Sequence, residues 1–128
     1  MSKTYKTIST QKKADEAPVA DFSNHKGDLI IKTTNLVIDE RGTLYEAVRW
    51  SWKISKKNAE KAKYVFAVVD GIIKGVFCPS KWLKVEDSYR MKFYGSEAPK
   101  KICDEFTGRR LPDDYVKRGA ANPVMYIK

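Results

Sequence analysis

Hydrophobic and polar positions follow one another along this chain in short blocks, and each block predicts a short element. The run Asp28-Leu29-Ile30-Ile31-Lys32-Thr33-Thr34 is β-branched and bounded by Gly27, the pattern of a strand. Leu36-Val37-Ile38 extends it or forms a second short strand, and Asp39-Glu40-Arg41-Gly42 reads as a turn. Thr43 with Glu46 three residues later is a capping-box pattern, so a helix is predicted over 44–52 with Leu44, Ala47, Val48 and Ser51 on one face. Ser55 caps a Lys-rich helix over 56–62. The apolar run 64–69, the dipeptide Asp70-Gly71 and the run 72–77 are a β-hairpin signal, because both turn positions favour positive φ. Gly75 marks a bulge, and Pro79 is expected to stop the ladder. A short strand over 82–85 and a strand over 90–94, alternating basic and apolar, follow. Ser96 caps a helix over 97–106 that turns Ala98, Ile102, Cys103 and Phe106 inward, and Gly108 closes it. One helical turn near 113–116 and a terminal strand over 122–127 complete the pattern.

This order lacks strict strand–helix–strand alternation. It predicts an α+β fold, with a curved, mostly antiparallel sheet or a small open barrel and short flanking helices. Residues 27–128 form the single domain. Residues 1–26 show no sustained period and are interrupted by Pro18, so they read as a flexible arm, with His25 a solvated side chain.

Composition sharpens the class. A chain of 128 residues is one domain, and 42% apolar content is too high for disorder. No apolar run approaches the ~20 residues of a membrane helix, and the charged N-terminus lacks the apolar core of a secretory signal. A cytoplasmic protein without a membrane partner is expected. Two Cys and one His are too few for a zinc finger, an iron–sulfur cluster or a disulfide scaffold. Asp113-Asp114 and Glu86-Asp87 are adjacent acids in turns, not acid–base partners, and no Gly-rich phosphate loop or paired-metal carboxylate set occurs. No enzyme activity, metal or cofactor is expected.

The net charge of +9 changes the picture most. Residues 1–26 account for +2 of it and residues 27–128 for +7, so the surplus belongs to the domain. Such a field attracts polyanions. Three clusters give it chemistry. In Arg49-Trp50-Ser51-Trp52-Lys53 the two indoles cannot share a helical face. If Trp52 joins the core, Trp50 points to a groove or the surface, where an indole stacks a base for ~1–3 kcal/mol. Trp82, Tyr89 and Tyr94 lie among Lys81, Lys84, Arg90 and Lys92, the composition of a single-strand platform and equally of a half-buried strand. Arg109-Arg110 and Lys117-Arg118 offer guanidinium and ammonium groups for phosphate, with Asn122 able to donate and accept at a base edge.

Three stretches together resemble a known pattern: LYEAVRWSWKISKKNAEKAKYVFAVVDGIIKGVFCPSKW (44–82), RMKFYGSEAP (90–99) and GRRLPDDYVKRGAANPVMYI (108–127). They look like a small domain of bacterial and phage proteins that occurs alone or appended to GIY-YIG-type nuclease domains. The resemblance implies a module in nucleic-acid-related settings. The nuclease signature itself is absent from this sequence, so cleavage is not implied. The neighbourhood of Arg49-Trp50-Ser51-Trp52, the hairpin 64–77 and the strand 90–94 also resemble PUA-like barrels of the EVE and ASCH kinds. That resemblance implies a curved sheet with an aromatic base pocket of Trp50, Trp82 and Tyr94, and polar recognition by Arg49, Arg109 and Asn122. The leading expectation is a non-enzymatic module binding RNA or DNA. The alternatives are a small-nucleotide-binding sensor or sequestering protein and a basic protein–protein interaction module.

Overall fold

The structure, a computed structural model, describes residues 17–118 and 123–128. Its strands are β1 (Leu29–Thr33), β2 (Val65–Val69), β3 (Ile72–Lys84), β4 (Met91–Glu97) and β5 (Val124–Tyr126). Its helices are α1 (Asn35–Arg41), α2 (Leu44–Val48), α3 (Lys56–Lys61), α4 (Lys100–Phe106) and α5 (Asp113–Arg118). The strands make one sheet in the order β4-β3-β2-β1-β5, which does not close into a barrel. Three of its four pairings are antiparallel, and β1 with β2 is parallel, the crossover being α1–α3. The fold is therefore α+β with a mixed sheet and short helices.

Both faces of the sheet are covered. On one, Ile30, Phe66, Val68 and Ile73 pack with Phe106 of α4, Tyr115 of α5 and Phe22. On the other, Leu29, Ile31, Val65 and Phe77 pack with Val48 of α2, Ile54 and Ala59 of α3. This explains why all five residues of β2 are buried: a central strand with both faces covered has no polar side to alternate with.

Local signals acted where they were local. Thr43 Oγ accepts from Glu46 N at 3.1 Å and Ser55 Oγ from Asn58 N at 3.1 Å, so two of the three predicted caps start their helices, while Ser96 and Glu97 stay in β4 and α4 begins only at Lys100, after Pro99, without a side-chain cap. Asp70 and Gly71 turn the hairpin at φ 50° and 79°. Ala67 opposes Gly75 while Val68 opposes Ile73, which leaves Lys74 as the extra residue of a bulge beside Gly75.

Four expectations are corrected. Leu36-Val37-Ile38 is helical in α1, because Thr34 Oγ1 caps Val37 N at 3.2 Å and Gly42 closes the helix at φ 101°. The helix from Thr43 ends at Val48, short of 52, because the chain there turns to run along β4. Pro79 does not stop β3. Pairing with β2 ends at Phe77, and β3 continues against β4 past a second bulge at Ser80. Of the expected arm, residues 17–26 are packed: Ala17, Ala20, Phe22 and His25 are buried, and Ala20 N donates to Arg110 O at 2.9 Å. One aromatic anchors this stretch, Phe22, 5.0 Å from the Phe66 ring, so it carries no periodicity for a sequence to display. Residues 1–16 lie outside the described residues.

Candidate nucleic-acid interface

Strand β4 is an edge of the sheet, and its outer backbone groups need partners. The segment after α2 supplies them. Trp52 N donates to Met91 O at 3.0 Å and Met91 N to Trp52 O at 2.8 Å. Phe93 N donates to Arg49 O at 2.8 Å, and Gly95 N to the Tyr45 hydroxyl at 3.0 Å. Residues 49–52 are thereby laid along β4, and Arg49 stands beside Tyr94.

Tyr94 is the centre of this cluster. The Arg49 guanidinium carbon lies 4.8 Å from its ring centroid, Lys92 Nζ 5.6 Å and Lys81 Nζ 6.0 Å. Lys81 is there because it opposes Tyr94 across the β3–β4 ladder. Lys92, whose ammonium lies close to the Tyr94 side chain, pulls the phenol below its ordinary value, and Arg49 adds to the effect. Burial works against the Arg49 charge, but Glu46, bonded to its Nε at 2.8 Å, and then Tyr94 outweigh this and raise its pKa. Trp50 is a second aromatic, with the Arg41 guanidinium 5.0 Å from its ring centroid. Arg41 Nη1 also donates to Trp50 O and, at 3.2 Å, to Ala47 O, while Arg90 Nη1 donates to Ser51 O at 3.0 Å. Trp50 and Tyr94 stay 39% and 38% exposed, enough ring surface for a base to stack on.

The nine sequence candidates do not form one pocket. Arg49 and Tyr94 come together, while Trp50 meets Arg41. Trp82 is corrected: it is 4% exposed, its ring 5.0 Å from that of Phe93, and it belongs to the core beneath the cluster. Alternation explains this, since neighbouring Lys81 takes the solvent face and Trp82 must take the other. Arg109 and Arg110 lie at the other end of β3, where Ile73 N donates to Arg109 O at 2.9 Å. Their guanidinium groups fasten the N-terminal segment: Arg109 Nη1 donates to Val19 O at 3.5 Å and Arg110 Nε to Ala17 O at 3.1 Å. Ile72 and Lys81 are separated by ~30 Å along an extended strand, so Arg109 cannot share a base with Tyr94. Lys117 and Arg118 supply the last backbone of α5, and Asn122 lies outside the described residues.

Arg41 reaches Trp50 from the end of α1, a position that a turn over 39–42 does not provide. Lys81 and Lys92 were legible only as neighbours in sequence, and the register of β3 on β4 made them neighbours of Tyr94. Among the described residues, no three His, Cys, Asp or Glu side chains gather as a metal site. No helix of the described residues is long and apolar enough to cross a membrane. Comparison with protein-family models, with curated proteins and with solved structures gives no match.

Proposed function

We propose that this chain is a non-enzymatic nucleic-acid-binding module, and that the β4 edge is its contact surface. The observation carrying this reading is the convergence of Arg49, Lys81 and Lys92 on the half-exposed ring of Tyr94. The cations hold phosphates, and Tyr94 and Trp50 offer rings on which unpaired bases stack. Single strands are the preferred ligand, because their bases are free to leave the backbone and reach a ring. The overall charge of +9 adds long-range attraction.

Fluorescence anisotropy with single-stranded RNA, single-stranded DNA and duplex of one sequence, across a salt series, tests the proposal. Single strands are expected to bind tightest, with affinity falling linearly in log–log against salt. Tyr94→Ala is expected to cost ~1–3 kcal/mol, up to about a hundredfold, for single strands. No binding at low salt, or equal binding by wild type and Tyr94→Ala, would overturn it.

A further inference from the structure

A second surface carries chemistry that the β4 edge does not use. A cavity of about 510 Å³ opens between the segment 21–28, the end of α3 and α4, and His25 and Asp28 line it. This is the one histidine of the chain, with 10% of its side chain exposed. Its ring stands edge-on to Phe66 and Phe106, at centroid distances of 5.3 and 5.0 Å. Asp28 holds it by Oδ2, 3.0 Å from His25 Nδ1. Oδ1 of the same carboxylate accepts from Lys63 N at 2.6 Å and Tyr64 N at 3.1 Å. The carboxylate is thus fixed by backbone, and it fixes the imidazole with the Nδ1 proton toward Asp28. Among the described residues no hydrogen bond reaches Nε2, and the ring lines the cavity.

Four lysines surround the opening: Lys26, Lys61, Lys63 and Lys101. None has an ion-pair partner within 4 Å among the described residues. Of the facing acids, Asp28 is engaged as described and Asp21 Oδ1 accepts from Ser23 N and Oγ at 3.0 and 2.6 Å. Glu105 is the remaining acid on the wall, and Tyr64 is the remaining titratable neighbour. Hydrogen bonding leaves the Asp21 and Asp28 charges in place, so four lysines against three carboxylates give the lining a net charge of +1, with the His25 imidazole in its wall.

We propose that this cavity binds a phosphomonoester, with His25 Nε2 on a phosphate oxygen and the lysines neutralising its charge. A phosphomonoester suits this nitrogen better than a sulfate or a phosphodiester, because it still exchanges a proton near neutral pH. It can offer O–H to the lone pair of neutral Nε2 or O⁻ to its N–H, so the contact survives in either protonation state. The volume falls in the range of small-molecule sites. The ligand is a free nucleotide or the phosphorylated end of a strand, chemistry shared by both. The inference does not rest on the β4 edge, and Tyr94→Ala leaves it untouched.

One histidine gives one imidazole to follow. In ¹H–¹⁵N spectra at fixed pH and ionic strength, the Nε2 resonance is expected to move saturably with inorganic phosphate, with adenosine 5′-monophosphate or with a 5′-phosphorylated oligonucleotide. The unphosphorylated oligonucleotide and sulfate are expected to leave it in place. Response to the nucleotide identifies a free-nucleotide site, and response to the oligonucleotide alone identifies a strand end. Lys63→Ala and Lys101→Ala, both exposed, are each expected to lose about three- to fivefold in affinity without loss of fold. His25→Gln is expected to abolish binding by calorimetry, with circular dichroism checking its fold. An Nε2 resonance that phosphate and chloride move alike, or affinity unchanged in both lysine variants, would overturn the proposal.

Discussion

Two aromatic residues within one basic strand pair, Trp82 and Tyr94, have opposite fates, and side-chain direction alone separates them. Both stand among lysines in sequence, yet Trp82 is buried against Phe93 and Tyr94 faces outward. The Trp82 indole N–H is buried without a hydrogen-bond partner, a loss of roughly 1–3 kcal/mol that phenylalanine does not incur. Trp82→Phe is therefore expected to lose volume but shed an unsatisfied donor, leaving stability within about 1 kcal/mol of wild type in urea unfolding. Trp82→Ala is expected to lose about 3–5 kcal/mol. Tyr94 predicts a pH effect whose sign follows from its neighbours. Lys92 and then Arg49 favour the phenolate, so Tyr94 ionises below the ordinary phenol value. A phenolate adds a negative charge between cations that are proposed to hold phosphate. Oligonucleotide affinity is then expected to fall more steeply with rising alkaline pH in wild type than in Tyr94→Phe. Lysine titration is common to both proteins, so the difference between the two curves isolates Tyr94. Identical curves would remove Tyr94 from the contact surface.

At the scale of elements, what the sequence displayed was what neighbouring residues decide. The caps at Thr43 and Ser55 and the Asp70-Gly71 turn involve residues three or fewer apart, and each was legible. The parallel pairing of Leu29 with Val65 joins positions separated by three helices, and no local pattern records it. Helix α1 was hidden for another reason. It buries no residue, so its Leu36-Val37-Ile38 run lacks the helical stripe that burial imposes and shows β-branched composition instead. The candidate site inherited this division. Arg49 and Trp50 are visible as a cluster, but the meeting of Arg49 with Tyr94 depends on 49–52 lying along β4, a tertiary pairing. Gly95 is part of what allows that pairing. It opposes Pro79, and a Cβ there would stand 2.3 Å from Cys78 O and 2.8 Å from Pro79 Cα. Both obstacles are backbone, which cannot swing aside as a side chain does. Gly95→Ala is expected to cost about 2–4 kcal/mol and to push β4 away from β3 at that point. Thermal unfolding measures the first effect, and loss of protection from hydrogen exchange at Tyr94 and Gly95 the second. Wild-type melting of Gly95→Ala would show that the β3–β4 crossing is looser than its geometry.

Over the whole molecule, the positive surplus is divided by task. Some cations are free to meet a polyanion, as Lys81 and Lys92 are, and others are spent inside the fold. Arg110 is of the second kind: Nε holds Ala17 O, Nη1 reaches Asp113 Oδ1 at 3.4 Å, and its backbone joins Val19 and Ile72. Counting charges by sequence cannot tell the two kinds apart, but the salt dependence of binding can. Each cation that neutralises a phosphate contributes about one unit to the slope of log affinity against log salt. Lys81→Ala and Lys92→Ala are each expected to flatten that slope by about one and to leave the melting temperature unchanged. Arg110→Ala is expected to do the reverse. It leaves the slope in place, and it loosens residues 17–22 so that limited proteolysis cuts there sooner than in wild type. A flattened slope in Arg110→Ala, with steep slopes kept in both lysine variants, would move the contact surface from the β4 edge to the opposite end of β3. There the guanidinium groups would have to leave the N-terminal segment before they could reach a phosphate, so binding and faster cleavage at 17–22 would appear together.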